Sequence, residues 1–390
     1  MRRAVHSGDP AADAPARGGC SRRRFTLGSL AAATLAWLPP GPARAATWAP
    51  FGHTPIIDGL GGPGSYGGDD FAPLTAAELA DVRASGLTAV NVTLGSVGRY
   101  AGAFEDALKS IAHWEAQIEA HPGFLLRIER AADLERARRE QRLGLVYGFQ
   151  DSAPFGEDLE RIAMFRRLGL RVAQLTYNNR NLVGDGCLEP GGAGLSKFGR
   201  KVLERLNAEK LLVDLSHGGR QVTLDAIAAS TAPVVISHTG CAALAALPRN
   251  KTDEELRALA VRGGVAGIYF MPFLRTAGQP MAEDLVRHIE HAVAVCGEDH
   301  VGLGSDGPIS PVPFDEKFRE AHREDVRKRR ALGISAPGEV DDVYTFIPDL
   351  NTPRRFEAIA VLLSARGHSD ARIGKILGGN FARVMGEVWG

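Results

Sequence analysis

Two histidines stand in the same local setting. Residues 211–217, LLVDLSH, close on Ser216-His217, and residues 233–239, PVVISHT, carry Ser237-His238. Each is a short apolar run of the kind that forms a strand buried on both faces, and residues 221–230 between them have helical spacing. Parallel strands joined by a helix bring both imidazoles to one carboxyl edge, where α/β folds bind ligands. Asp306 closes another apolar run, VGLGSD. Two imidazoles and a carboxylate that converge make a three-ligand site for zinc or a similar ion, with a position open for water. Asp306 could instead serve as a general base or as a structural cap. Arg249, in the loop after the second histidine, could grip a substrate carboxylate as a two-pronged fork. Its alternative is a surface pairing with an acid such as Asp253. Tyr177, Asn178 and Gln150 end or follow other apolar runs and complete the residues expected around a substrate.

The elements that must position these residues alternate along the chain. Strands are expected at 54–60, 87–94, 144–150, 172–177, 211–217, 233–239, 264–270 and 301–306. Helices are expected at 75–85, 101–120, 131–141, 156–168, 196–208, 221–230, 252–262 and 282–296, with Thr252 and Glu255 forming a capping box. That count predicts a (β/α)8 TIM-type barrel rather than the alternative, a doubly wound open sheet. No Gly-x-Gly-x-x-Gly follows the first strand, so a dinucleotide site has no support. Residues 308–350 read as a long insertion after the eighth strand, with a densely charged helix at 314–332. It is either a solvated surface helix or a lid or oligomer contact over the strand ends. Residues 352–366 and 370–388 read as closing helices.

Composition excludes other classes. The 390 residues carry 46 Lys+Arg against 46 Asp+Glu, so no global field favours nucleic acid or an anionic membrane. Residues 1–45 read as a twin-arginine signal: Ser21-Arg22-Arg23-Arg24-Phe25, a short apolar run, then Ala43-Arg44-Ala45. They predict export to the periplasm or beyond, with cleavage near Ala45, no stable membrane anchor, and one domain over 46–390. Cys187, Cys241 and Cys296 remain after cleavage, without a CxxC, so no thiolate metal site is signalled.

The motifs LVDLSH, VVISHT, PRNKTDEELRALAVRGGVAGI, VGLGSDGP and RGHSDARIGKILGGNFARV together resemble the membrane (renal) dipeptidase family, peptidase family M19. The resemblance implies a zinc (β/α)8 barrel that hydrolyses dipeptides. It implies that His217 and His238 bind one zinc, that Asp306 binds the other and handles the water proton, and that Arg249 recognises the substrate carboxylate. Family members are often dimers, so a homodimer is expected. The chain also departs from the pattern. Where the family's first strand supplies a His and an Asp to zinc, this chain has Leu60 and Gly62, and where a Glu bridges the metals it has Gln150. The family's substrate-contacting His aligns with Tyr177. One zinc ion, or none, is expected in place of two. The expected activity is hydrolysis of a dipeptide or modified dipeptide. A non-hydrolytic tailoring reaction on a small peptide product and a catalytically inactive carboxylate-binding role are the alternatives.

Overall fold

The computed structural model describes residues 47–67 and 71–390. The twin-arginine segment and its cleavage site lie outside the described residues. Eight parallel strands pair in chain order: β1 (Ile57–Asp58), β2 (Ala89–Thr93), β3 (Leu143–Phe149), β4 (Leu170–Gln174), β5 (Leu212–Asp214), β6 (Val235–Thr239), β7 (Val265–Ile268) and β8 (Val301–Leu303). The sheet curls until β8 meets β1. Gly59 N donates to Leu303 O at 2.8 Å, and Asp306 N donates to Leu60 O at 2.8 Å. Gly61–Gly62 then pairs in parallel with Gly307–Pro308. The expected TIM-type (β/α)8 barrel is present.

Asp58 reinforces this seam. Its carboxylate accepts from Ser305 N at 2.7 Å and from Ser305 Oγ at 2.6 Å. Burial pushes the Asp58 carboxyl up to about 7, against those hydrogen bonds. It joins the two strands across the seam.

The helices begin where short polar side chains cap them. Thr75 caps Ala76–Ser85, Ser196 caps Lys197–Ala208, and Thr252 with Glu255 forms the expected capping box on Asp253–Val261. Several strands, β5 and β8 among them, end before their apolar runs do, and the runs' last residues enter the loops. Leu125–Arg127, a short strand on the edge of β3 ahead of β4, has no counterpart among the expected strands. Three residues are too few to show a period of two. Among the described residues, no helix is long and apolar enough to cross a membrane.

The barrel interior is layered. Ile57, Ala89, Val146, Val172, Leu212, Val235 and Val265 form an apolar layer with Phe381, Val384 and Met385 of the last helix, Asn380–Trp389. Phe381 enters the barrel because glycines make room for it. A Cβ on Gly59 would lie 2.7 Å from its ring, and one on Gly302 would lie 2.5 Å away. Two residues further along the strands the same face turns polar, with Asn91, Gln174, Asp214 and Ser237, all buried.

Phe381→Ala removes this plug at a site whose glycine walls cannot refill the space. Chemical denaturation should show about 3–5 kcal/mol lost. A loss below about 1 kcal/mol would mean that the ring does not hold the barrel floor.

Candidate functional site

Asp214 is the base on which the site is built. It lies at the end of β5, fully buried, and both serines of the repeated Ser-His motif turn toward it. Its carboxylate accepts from Ser237 N at 2.9 Å, from Ser237 Oγ at 2.6 Å and from Ser216 N at 3.1 Å, and Ser216 Oγ also bonds it. Burial raises its carboxyl above the ordinary range. The Ser-His repeat therefore has a physical cause: each serine clamps Asp214, and each following histidine is presented above it. His238 N is further fixed by Ser216 Oγ at 3.1 Å.

The two imidazoles meet. His217 Nε2 and His238 Nε2 are 2.9 Å apart. Asn178 Nδ2 donates to Ile334 O at 2.7 Å, so Asn178 Oδ1 faces His217 Nδ1 at 2.6 Å and accepts its proton. His217 Nε2 then carries the lone pair. Arg249 Nη2 donates to that lone pair at 3.1 Å, and His238 Nε2 faces it at 2.9 Å. His238 Nδ1 in turn lies 2.8 Å from Ser237 Oγ. Burial first, then the Arg249 guanidinium, holds both histidines well below the ordinary imidazole range, so both are neutral near pH 7.

Arg249 is 2 % exposed, so the surface pairing with Asp253 is not what the structure contains. Asp253 instead pairs with Arg257 and His291. Arg249 Nη1 donates to Ser216 O at 2.8 Å, and among the described residues no carboxylate is within ion-pair reach of it. Asp306 follows β8, half-buried and in the left-handed region at φ 56°, a conformation that costs about 1 kcal/mol and that Asp tolerates better than most residues. Burial raises its carboxyl to about 6, with Arg249 pulling the other way. Tyr177 stacks on His217 with ring centres 4.2 Å apart.

Other expected site residues are engaged locally. Gln150 Nε2 donates to Thr93 Oγ1 at 2.7 Å. Both ends of the Asn178 amide are used, on His217 and Ile334. Asp151, the acid beside Gln150, turns away from the barrel centre and binds Gly98 N and Asn181. Leu60 is buried, and Gly62 has open space, its nearest neighbour to a Cβ being Val92 at 3.8 Å. Cys187, Cys241 and Cys296 are free thiols.

These donors do not fit a zinc centre. Among the described residues, no group of three His, Cys, Asp or Glu could hold a metal ion. The imidazole pair offers two nitrogens, of which His217 Nε2 already accepts from the Arg249 guanidinium. The single zinc expected from the sequence is thus left without a third protein ligand, and Asp306 does not join the histidines in one such group.

The family model for membrane dipeptidase, peptidase family M19, matches residues 73–313. The chain belongs to this family. An uncharacterized protein from the pqqA 5′ region of Klebsiella pneumoniae is 32% identical over 285 residues, 70% of this chain and 93% of that protein. Dipeptidase verJ of Clonostachys rogersoniana is 32% identical over 224 residues, 57% of this chain. The match spans about half of that dipeptidase, 49%. Among solved structures, an amidohydrolase from Pseudomonas aeruginosa superimposes with a TM-score of 0.74 at 28% identity, covering 87% of this chain and 98% of that one. A metallo peptidase from Rhodobacter sphaeroides, liganded with a phosphinate mimic of L-Ala-D-Ala, shares the fold with a TM-score of 0.69 at 20% identity, covering 86% of this chain and 99% of its own.

Within this M19 barrel, sequence reasoning missed Asp214 and also Arg329, whose guanidinium lies 3.3 Å from the Tyr177 hydroxyl. Asp214 had a signal, since it lies two residues before Ser216 and so shares its face of the strand. Arg329 lies in a charged run, Lys328-Arg329-Arg330, that marks no single residue.

Restoring family donors should test the metal reading. Leu60→His, Gly62→Asp and Gln150→Glu together should raise bound zinc measured after dialysis, because Gly62 has room for a side chain. Unchanged zinc content would show that the pocket has been reshaped beyond these three positions.

Proposed function

We propose that this protein is a dipeptidase-type hydrolase acting on a small peptide or peptide-like molecule with a free carboxylate. The observation that carries this reading is Arg249, a buried guanidinium with no carboxylate partner beside neutral imidazoles. An uncompensated buried charge is costly, and a substrate carboxylate would offset it with a paired, charge-assisted contact. Membership of the M19 family and the dipeptidases among its relatives support the reaction class.

In this reading Asp306 is the proton-handling group. Its carboxyl, raised to about 6, is ionised at neutral pH yet basic enough to take a proton from water. The same acid can return the proton to the leaving amine. Tyr177 and the imidazole pair line the site and orient the peptide. Because the donor set does not fit zinc, this reading needs no metal. The closed His217–His238–Arg249 contacts also favour a second reading, a non-hydrolytic tailoring reaction on a peptide product, in which the same acid and imidazoles move protons without cleaving the peptide bond.

Export by the twin-arginine route with cleavage near Ala45, a homodimeric state, and the lack of nucleic-acid partners and of a stable membrane anchor are part of the same proposal. Residues 1–45 support the export and the cleavage, the balanced charge supports the lack of nucleic-acid partners, and the homodimer rests on the family resemblance. Mass analysis of the exported protein's N-terminus tests the first of these.

A dipeptide panel with D-residues at the carboxyl end, assayed with and without chelator, tests the reading. Hydrolysis of L-Ala-D-Ala should persist in chelator. Arg249→Gln should lower kcat/KM about 100-fold, the loss expected for one charged partner of a buried pair. Complete inertness toward the panel would remove the dipeptidase reading, and zinc-dependent recovery after chelation would remove the metal-free one. A base acts as its carboxylate, so kcat/KM should rise with pH through about 6. Arg249 lowers the Asp306 pKa, so in Arg249→Gln the same limb should move to higher pH. A limb that stays or moves down would separate Asp306 from the proton step.

A further inference from the structure

The insertion after β8 touches the site through Arg329 and Ile334. Its helix, Glu316–Ala331, buries Phe318, His322 and Val326, so it is not a solvated face. Phe318 packs with Tyr66, Phe314, Tyr344 and Phe346 in a small aromatic core of the insertion and the loop after β1. Near its C-terminal end Arg329 turns toward the strand ends. Glu339 holds it there, accepting from Arg329 Nε at 2.7 Å and from Nη2 at 3.0 Å. The other edge of the guanidinium reaches the Tyr177 hydroxyl, with Nη1 at 3.3 Å and Nη2 at 3.4 Å. The segment that follows is pinned to the same loop. Asn178 Nδ2 donates to Ile334 O at 2.7 Å, and Asn179 Nδ2 donates to Gly333 O at 2.9 Å.

Two N–H groups directed at one phenol oxygen occupy its lone pairs. Among the described residues, the Tyr177 proton meets no acceptor. A phenol that accepts from a cation is a better donor through its own O–H, since hydrogen bonds in a chain polarise one another. The ring beneath that hydroxyl stacks on His217, which in turn contacts Arg249.

We infer that Arg329 is a positioning residue of the site, which fixes Tyr177 as the hydrogen-bond donor to an oxygen of the bound peptide-like substrate and fixes His217 through the stacked ring. The insertion is therefore part of the substrate site. Its docking through Glu339 and Ile334 completes the donor set that the barrel alone lacks. The identity of the substrate rests on the reading proposed above, whereas the link from Arg329 to His217 does not.

The test uses the mature chain, with Arg329→Gln, Tyr177→Phe, their double variant and Arg329→Lys, each first checked for an unchanged melting temperature. The ring-proton resonances of His217 are identified by their loss in His217→Gln. They should shift alike in Arg329→Gln and Tyr177→Phe and return toward wild type in Arg329→Lys. A folded Arg329→Gln with unmoved His217 resonances overturns the inference, whatever the substrate is. With L-Ala-D-Ala as probe, each single variant should lower kcat/KM about tenfold, the worth of one hydrogen bond to substrate. The double variant should be no worse than either single, because the two residues act as a unit. Additive losses would likewise overturn it. If wild type neither binds nor cleaves the dipeptide, the substrate reading fails while the resonance measurement still decides the role of Arg329.

Discussion

The site depends on one buried carboxylate and the serines that satisfy it. Among the described residues Asp214 has no ion-pair partner, and it is stabilised by N–H and O–H donors from Ser216 and Ser237. Those bonds fix the backbone at the ends of β5 and β6, and so fix where His217 and His238 begin. Ser216 spends its carbonyl on Arg249, which brings the guanidinium into the same cluster. Removing the carboxylate would leave two serines, two imidazoles and an arginine without a common reference.

From that base the electrostatics follow. The family's pattern has acidic ligands around its metals, but here Leu60, Gly62 and Gln150 carry no charge. What remains is a neutral imidazole pair under a buried guanidinium, with one half-buried acid, Asp306, and a second arginine from the insertion. Such a pocket offers a cation less negative charge than the family's pattern does. The physical trade is plain: a divalent ion needs acids to hold it, whereas a carboxylate ligand needs the cation that those acids would have neutralised.

Much of this was legible in the sequence, and the reasons differ by residue. The barrel followed from apolar runs alternating with helical spacing, and the capping box at Thr252 and Glu255 was read directly. The meeting of His217 and His238 followed from strand ends in parallel β/α units, whereas Arg249 was left open between a substrate fork and a surface pairing. Strand lengths did not follow, because polar residues such as Ser216 serve Asp214 and leave the ladder. The fate of Asn178 was hidden, since its two partners lie 39 and 156 residues away. Arg329 was hidden for the same reason: one arginine in a charged helix is singled out only by the tertiary fold that brings Tyr177 and Glu339 to it.

The most direct measurement is the zinc content per chain of protein produced in zinc-replete medium and dialysed without chelator. Zinc far below one ion per chain is the result predicted by an imidazole pair already occupied by Arg249. One or more tightly bound ions per chain would contradict it, and would mean that Arg249 moves aside for a metal held by donors beyond the two histidines.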